Sequence, residues 1–249
     1  MNHDDASDPF AAHVRRLISE GRISEQEGEQ LLGSARLGCS SGQAARLLDI
    51  DLPAGQIELL GEEGCTAPEV IWCDREVSLQ GVAGSWTLRL PAGMAPQYPW
   101  DWFGWTERGL KLKMRLPPDL ALLRVRQNAG SLRVGGLRGR VEARLLAGDV
   151  DLDGVHGFSL ETKAGDIRAS ALITSGAHQI RSLAGQVTLG LLAGSSCELS
   201  AAVRAGRLTA SGLDHQAGGW MGQEYRARLG AGAGQVEVQL LAGDLTLHA

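Results

Sequence analysis

The sequence predicts a mainly β protein, a β-solenoid of short glycine-cornered coils that follows a small helical module. One observation is a repeated phrase, because LLAGDVDL at 145–152 returns almost unchanged as LLAGDLTL at 240–247. A shorter relative, LAGQVTL, lies at 183–189. A second observation is composition: 34 of the 249 residues are glycine, about twice the usual share of roughly 7%. So much glycine without the three-residue period of collagen is typical of many short strands and turns.

The spacing of the glycines predicts the coil. Between Gly130 and Gly194 they recur about every nine residues, so two steps make a unit of about 17 to 20 residues. Apolar residues alternate after many of these glycines, as Val150 and Leu152 do, and a period of two indicates strands with one apolar face. A fixed period under about 25 residues favours a solenoid over a β-sandwich, which needs longer strands. Glycine at each corner allows backbone angles that a side chain would forbid.

Residues 1–48 are the predicted helical module. Ser24 and Glu27 form a capping box, the typical start of a helix. The phrase SEQEGEQLL at 24–32 is echoed by SSGQAARLL at 40–48, and the pattern indicates three short helices. A unit of this size buries too little surface to be stable alone. We expect it to dock on the rest of the chain or on another copy.

Residues 49–249 are the predicted β-domain, and its first part, 49–127, follows the repeat loosely. The phrases IDLPAGQIELLG and LKLKMRLPPDLALLRV are typical of strands. Leu-Pro pairs close several of these strands, because proline cannot donate a hydrogen bond to a neighbouring strand. The first coils are therefore expected to be less regular than the later ones.

Cysteine usage and the chain start favour a cytoplasmic protein with reduced thiols, with a peripheral position at the membrane as an alternative. No two cysteines form a CxxC pair, so neither a disulfide framework nor a zinc site is expected. The first residues, MNHDDASDPF, lack the basic and apolar parts of a signal peptide. No apolar run is long enough to predict a membrane span. The cysteines are Cys39, Cys65, Cys73 and Cys197.

The sequence predicts no metal site and no cofactor. The phrase DxDxDG that begins at Asp149 resembles the start of a calcium loop. Such a loop needs a glutamate at its twelfth position, which is Leu160 in this chain. Strand alternation explains the aspartates equally well as one solvated face.

Basic residues concentrate in 106–148, which holds ten basic and three acidic residues, whereas 1–76 has a net charge of −9 and the chain −5. On strands, these cations share faces that suit nucleic acid or anionic lipid headgroups. The interpretation we favour is pairing with the acidic N-terminal region, in the same chain or a neighbour, because the opposite charge is present in the same protein. The candidate partner-binding cations are Lys111, Lys113, Arg115, Arg124 and Arg126.

The stretch PWDWFGW at 99–105 is the second candidate for a partner contact. Tryptophan is favoured where proteins bind partners, so these rings could meet a protein or a membrane. Alternatively they cap an open end of the solenoid or hold the helical module, since exposed strand edges are prone to aggregate. The aromatic residues are Trp100, Trp102, Phe103 and Trp105.

Residues 110–155, LKLKMRLPPDLALLRVRQNAGSLRVGGLRGRVEARLLAGDVDLDGV, resemble the bacterial "putative adhesin" family, a β-solenoid domain of unknown function. The segment LISEGRISEQEGEQLLGSA at 17–35 is similar to the SHOCT-like helical module found at the N-terminus of such proteins. This resemblance implies a non-enzymatic bacterial protein, and some relatives are associated with the cell-envelope stress response. It implies no catalytic residues.

The end of the chain predicts self-association. The last residues, LTLHA, form a strand with no polar cap after it, and a solenoid needs both ends covered to stay soluble. We therefore expect a homo-oligomer, most simply a dimer, formed through a terminal coil or through the helices.

Three functions remain open at this point. The favoured one is a non-enzymatic scaffold that self-associates and contacts protein partners. The second is a binding module for nucleic acid or anionic membrane, built on the basic stretch and the tryptophans. The third is a carbohydrate-active enzyme, which needs carboxylates clustered on neighbouring coils. The candidates for that cluster are Asp149, Asp151 and Asp166.

Overall fold

The computed structural model describes residues 46–82, 84–90, 109–212, 217–218 and 222–249. The chain divides into two compact units between Ala44 and Ala45, and the described residues belong to the second. Of the residues in the predicted helical module, Arg46, Leu47 and Leu48 are described, and only the two leucines lie in a regular element. Both belong to the first strand, so the prediction that the third helix reaches Leu48 is wrong there. Leu48 is fully buried and pairs within the sheet, and such tertiary packing overrides a helical propensity.

The described residues form seventeen strands and no helix, which confirms the predicted mainly β fold. In chain order the strands are β1 Leu47–Gly61, β2 Glu69–Cys73, β3 Ser78–Val82, β4 Ser85–Arg89, β5 Leu110–Leu116, β6 Leu122–Gly135, β7 Arg140–Val155, β8 Gly157–Ala164, β9 Ile167–Ala171, β10 Gly176–Ala184, β11 Val187–Leu191, β12 Cys197–Ala205, β13 Leu208–Ser211, β14 Ala217–Gly218, β15 Gln223–Leu229, β16 Gly234–Ala242 and β17 Leu245–His248.

The strands pair in two rows that together make one 17-stranded sheet. The first row runs β3, β4, β1, β6, β7, β8, β10, β16, β12, β15 and β14. The second row runs β2, β5, β1, β6, β7, β9, β11, β17 and β13. The long strands β1, β6 and β7 belong to both rows. We call each of these, and each of the pairs β8/β9, β10/β11, β16/β17 and β12/β13, a rung.

Alternate side chains of every rung enter one shared core. In the first row Leu123, Val141 and Phe158 lie side by side on β6, β7 and β8, and all are fully buried. In the second row Val187 and Leu245 are paired and equally buried. Both rows contribute to the same hydrophobic cluster, so the predicted period-two alternation is confirmed. Full burial of each large aliphatic side chain contributes about 1.5–3 kcal/mol of stability.

An Ala-Gly pair marks the point where each rung passes from the first row to the second. Ala147 of β7 is in register with Ala129 of β6 and Ala164 of β8. The glycines that follow have a positive φ, 131° at Gly148, and a Cβ there would lie less than 3.0 Å from the carbonyl oxygen of Gly130. Glycine is therefore required at this corner, as predicted. The aligned corner glycines are Gly55, Gly130, Gly148, Gly165, Gly185, Gly243 and Gly206.

At both ends of the stack, the order of the rungs in space differs from their order along the chain. The C-terminal rung β16/β17 lies between the rungs β10/β11 and β12/β13. At the other end, β1 pairs with β4 and β5 on one side and with β6 on the other. The prediction that the C-terminal strand is an uncovered edge is therefore wrong. After β13 the chain returns through β15, which pairs antiparallel with β12 and covers its outer side, and β16 then enters between two rungs already in place. Antiparallel covering of this kind protects a sheet edge from unwanted pairing.

Candidate interaction surfaces

The predicted basic residues of β5 and β6 lie on the outer side of the sheet. Lys111, Lys113 and Arg115 alternate on β5 with Leu112 and Met114, which are buried. Arg124 and Arg126 alternate in the same way with the core residues of β6. The strand pattern therefore brings each set of cations onto one face, as the period of two predicts.

Most of these cations face carboxylates on the neighbouring rung. The Lys113 Nζ atom lies 3.1 Å from a carboxylate oxygen of Glu58 on β1, and an Arg124 guanidinium nitrogen lies 3.3 Å from Glu142 on β7. Exposed pairs of this kind contribute about 0–1 kcal/mol each to stability. Their larger effect is on surface charge, since a paired cation attracts an external anion less strongly. Further pairs join Arg115 to Glu62, Arg133 to Asp151, Arg138 to Glu63 and Arg144 to Glu161.

The Lys111 side chain pairs with no carboxylate in the described part of the chain, and neither does that of Arg126. The Arg126 side chain is exposed on the first row, and on the next rung it is in register with Arg144. Arg181, farther along the same row, is likewise exposed and has no ion pair with any described residue. These arginines remain available to a partner.

The predicted aromatic contacts Trp100, Trp102, Phe103 and Trp105 lie outside the described residues, so the structure does not place them. A different tryptophan, Trp72 on β2, is 51% exposed beside the pairing with β5. The prediction missed it, although the phrase EVIWC carries a large apolar residue at the end of a short strand.

The aspartates of the repeated phrase hold the corners of the rungs together. A carboxylate oxygen of Asp149 accepts a hydrogen bond from the backbone N–H of Asp166 on the next rung, at 3.0 Å. Asp166 accepts in turn from the backbone N–H of Gln186, at 2.9 Å, and Asp244 accepts from that of Arg207, at 3.2 Å. Charged acceptors make strong hydrogen bonds to backbone donors. The phrase LLAGD is repeated because the same corner bond is made more than once.

The carboxylates predicted for an enzymatic alternative are used in these internal contacts. Asp149 and Asp166 hold corners, and Asp151 lies 3.2 Å from the guanidinium of Arg133. Asp153, the last aspartate of the calcium-like phrase, accepts a hydrogen bond from the Ser170 hydroxyl at 2.8 Å. Strand geometry therefore accounts for this row of aspartates.

A cleft of about 770 Å³ opens on the first row, between Arg140 on one side and Arg226 and Arg228 on the other. Its wall includes His178, which is 5% exposed and packs on Phe158 with ring centroids 5.4 Å apart. The Phe158 backbone N–H donates to His178 Nδ1 at 3.3 Å. His178 Nε2 therefore carries the proton, and it donates to the carbonyl oxygen of Ser175 at 2.9 Å.

The His178 side chain makes stability depend on pH. Burial lowers the pKa of His178 below its usual 6.5, the hydrogen bond to Ser175 opposes this shift, and the charge of Arg140 adds to it. Between 6.5 and the lowered value, the unfolded chain binds a proton that the folded chain does not, so stability falls as pH falls. The slope from one group is at most about 1.4 kcal/mol per pH unit. We expect His178→Asn, which keeps an acceptor near Nδ1, to flatten the decline of the unfolding free energy between pH 7 and 5.

Urea unfolding at several pH values measures this effect. His156 is exposed, so His156→Asn is the matched control for the removal of one histidine and should leave the profile parallel to that of the parent. Equal slopes for the parent and His178→Asn would show that His178 does not titrate as its burial requires.

Comparisons with known proteins do not assign this chain to a family. No protein-family model and no curated protein matches it. Among solved structures it is similar to a crystal structure described as a putative cell adhesion protein from Clostridium sporogenes ATCC 15579. The two share 13% sequence identity over 83% of this chain and 93% of that chain, with a TM-score of 0.43. Membership of the adhesin family and the SHOCT-like module remain predictions from sequence.

Proposed function

We propose that this chain is a non-enzymatic interaction protein, a β-solenoid scaffold that self-associates and presents a repeated surface. The observation that carries the non-enzymatic scaffold is the use of the repeated carboxylates inside the fold, and self-association is the part of the proposal that the experiment below decides. Asp149, Asp166 and Asp244 each accept a backbone N–H from the next rung. Because the most regular polar residues bind the chain's own backbone, the repetition serves the stacking of rungs. The resemblance adds a role in the bacterial cell-envelope stress response, from the cytoplasm or the membrane periphery.

Two features of the pairing support the solenoid. Leu122 pairs in parallel with Arg140, 18 residues later, and Arg140 pairs with Gly157, 17 residues later. From β6 to β8 the parallel pairing therefore has a nearly constant offset, which is what successive coils give. The two rows share one core, as two faces of a coil do.

The alternative is a binding module for nucleic acid or anionic membrane. It draws support from Arg126 and Arg181, which are exposed and lack ion pairs with the described carboxylates. It is weakened by the pairing of Lys113, Arg115 and Arg124 with glutamates. In the described residues no helix is long and apolar enough to cross a membrane.

Light scattering over a concentration series of the full chain, at low and high salt, tests the scaffold. We expect a mass twice that of the chain at high concentration, with modest dependence on salt. A monomer at every concentration would overturn self-association. A monomer that binds nucleic acid or anionic vesicles at low salt and releases them at high salt would favour the alternative.

A further inference from the structure

Each row of the sheet ends in an outer strand on both sides, where backbone N–H and C=O groups are left unpaired. In the described part of the chain, the first row ends at β3 and β14 and the second at β2 and β13. Three of these strands are protected from further pairing. β2 begins at Glu69 and has a bulge at Ile71, where its register with β5 shifts. On β13 the Leu208 backbone N–H donates to the Gln223 side chain, and β14 has only two residues.

The remaining outer strand, β3, has none of these protections. Its sequence, SLQGV at 78–82, contains no charge and no proline, and it pairs with β4 in an unbroken register. No backbone hydrogen bond joins its outer side to any described residue. Val82, at its end, is 77% exposed. Among the described strands, β3 is therefore the one that offers a continuous free edge.

The pairing of β4 with β1 shows which backbone groups of β3 are free. Leu47 of β1 donates its backbone N–H to the carbonyl oxygen of Gly84, next to β4. Alternate residues of a strand direct their backbone groups to opposite sides. The even-numbered residues of β4 therefore face β1, and the odd-numbered ones face the even-numbered residues of β3. The other two residues of β3, Leu79 and Gly81, turn their N–H and C=O groups to the free edge.

We propose that the β3 strand of a second copy of this chain pairs with this edge, antiparallel and about a two-fold axis at Gln80. The proposal rests on the self-association in the proposed function and names its surface. In this register Leu79 of each copy lies opposite Gly81 of the other, and each of these two pairs exchanges two backbone hydrogen bonds. An axis at Leu79 or at Gly81 would leave the other residue facing a position outside β3, so Gln80 is the axis that uses both.

The side chains of β3 suit this register. Leu79 packs partly buried against the core, whereas Gly81 has no side chain and the ring of Trp86 lies where its Cβ would be. Leu79 of the second copy therefore meets an open position beside an aromatic ring. On the outer face Gln80 lies opposite Gln80 of the second copy, and two amides can bond each other because each has donors and an acceptor. No charged residue of β3 opposes another across the axis.

The free edge selects a strand rather than a lipid surface, because only another extended chain presents backbone donors and acceptors at the matching spacing. An identical strand fits it, since a two-fold interface brings the same self-complementary surface from each copy. Five residues from each copy are far fewer than the roughly 20–30 of a standard interface. We therefore expect a weak dimer that forms at high protein concentration. Salt should change it little, because the bonds join uncharged backbone groups.

Opposite charges at Gln80 test both the pairing and its register. Gln80 is exposed on the outer face, so its replacement leaves the core unchanged. In the full chain, Gln80→Lys or Gln80→Glu sets like charges directly opposite each other across the axis, which destabilises a cross-strand pair. By sedimentation equilibrium at low salt, we expect each variant alone to dimerise at least tenfold more weakly than the parent. An equimolar mixture of the two variants should recover a dimer at least as strong as that of the parent.

Gln235 provides the matched control, because it is exposed on β16 and that strand has a neighbour from its own chain on both sides. Gln235→Lys and Gln235→Glu should dimerise as the parent does, alone and mixed.

A disulfide at position 80 measures the register directly. Opposite residues that share no hydrogen bonds have Cα atoms about 4.5 Å apart, within the range of roughly 4.4–6.8 Å that a disulfide spans. The background replaces Cys39, Cys65 and Cys73 by serine and keeps Cys197, which is fully buried. In it, Gln80→Cys should form a linked dimer under mild oxidation at least tenfold more than Gln235→Cys.

The outcomes separate the two proposals. If the full chain dimerises and the Gln80 variants behave as the Gln235 controls do, the edge is wrong and the scaffold stands. A chain that is monomeric at every concentration, with no disulfide at position 80, overturns both. Amide hydrogen exchange identifies a different occupant. The Leu79 and Gly81 N–H groups should exchange slowly only where the dimer forms, and slow exchange in the monomer would assign the edge to another segment of the same chain and overturn the second copy.

Discussion

Gly148→Ala is expected to destabilise the full chain by about 4 kcal/mol or more, among the largest effects of a single methyl group. Gly148 has a φ of 131°, where an L-residue is strained by about 1–3 kcal/mol. The new Cβ would also lie less than 3.0 Å from the carbonyl oxygen of Gly130. That oxygen belongs to the neighbouring rung and cannot move without disturbing the aligned corner. Urea or thermal unfolding measures the loss, which corresponds to a drop in Tm of roughly 8–16 °C.

Gly154→Ala is the matched control, because it changes the same atoms without the clash. Gly154 has a φ of 63°, in the left-handed region, but a Cβ there would have no atom within 4 Å. The free energy of unfolding should fall by the backbone strain alone, about 1–2 kcal/mol. Similar losses for the two variants would show that backbone strain, rather than the close approach of the rungs, makes glycine necessary at Gly148.

The strands and corners were predictable because the residues that specify each of them are close together in the sequence. An apolar residue at every second position, such as Val150 and Leu152, must face the core for its burial to stabilise the fold. The Ala-Gly pair is equally local, since only glycine tolerates the angles and the close approach at Gly148. Each of these signals lies within one rung and needs no knowledge of its neighbours.

The order of the rungs was not predictable, because every rung offers much the same pattern to both neighbours. Val238 of β16 packs between Ile180 of β10 and Ala201 of β12. Each rung has an aliphatic residue at this position, so any two rungs could pack against each other there. Consecutive elements usually lie side by side, so the prediction placed the last rung at the end. No local signal distinguishes a rung that inserts between two others from one that follows them.

The ion pairs of the basic stretch illustrate a signal that was present and not used. Arg124 and Glu142 are 18 residues apart, and so are Arg133 and Asp151. Eighteen is the local repeat, so side chains at that separation lie on adjacent strands and share a face. Our prediction looked for the counter-charges mainly in 1–76, which supplies some of them, including Glu58 and Glu62. The exposure of Leu146, Leu183 and Leu241 was missed for a related reason, since only alternation through the repeated phrase shows that one leucine must face outward.

Deletion of residues 234–249 is expected to unfold a large part of the β-domain rather than to shorten it by one rung. β16 pairs with eight residues of β10 on one side and eight of β12 on the other, and β17 joins β11 to β13. Without them two rungs lose their partner, and buried residues such as Val203 and Ile180 face a gap. Because the whole stability of a domain is about 5–15 kcal/mol, this loss should abolish cooperative unfolding. Far-UV circular dichroism and limited proteolysis of the deleted chain measure it.

A pair of single substitutions on β17 is the matched control for this deletion. Leu247 is 1% exposed and Thr246 points outward on the same strand. Leu247→Asp buries a charge without a partner and should cost several kcal/mol, whereas Thr246→Asp should change stability by less than about 1 kcal/mol. If β16 and β17 formed an outer edge, the deleted chain would keep a cooperative transition and most of its strand signal. Restoration of the lost signal by a synthetic 234–249 peptide would show that the place of the rung is a slot between two others.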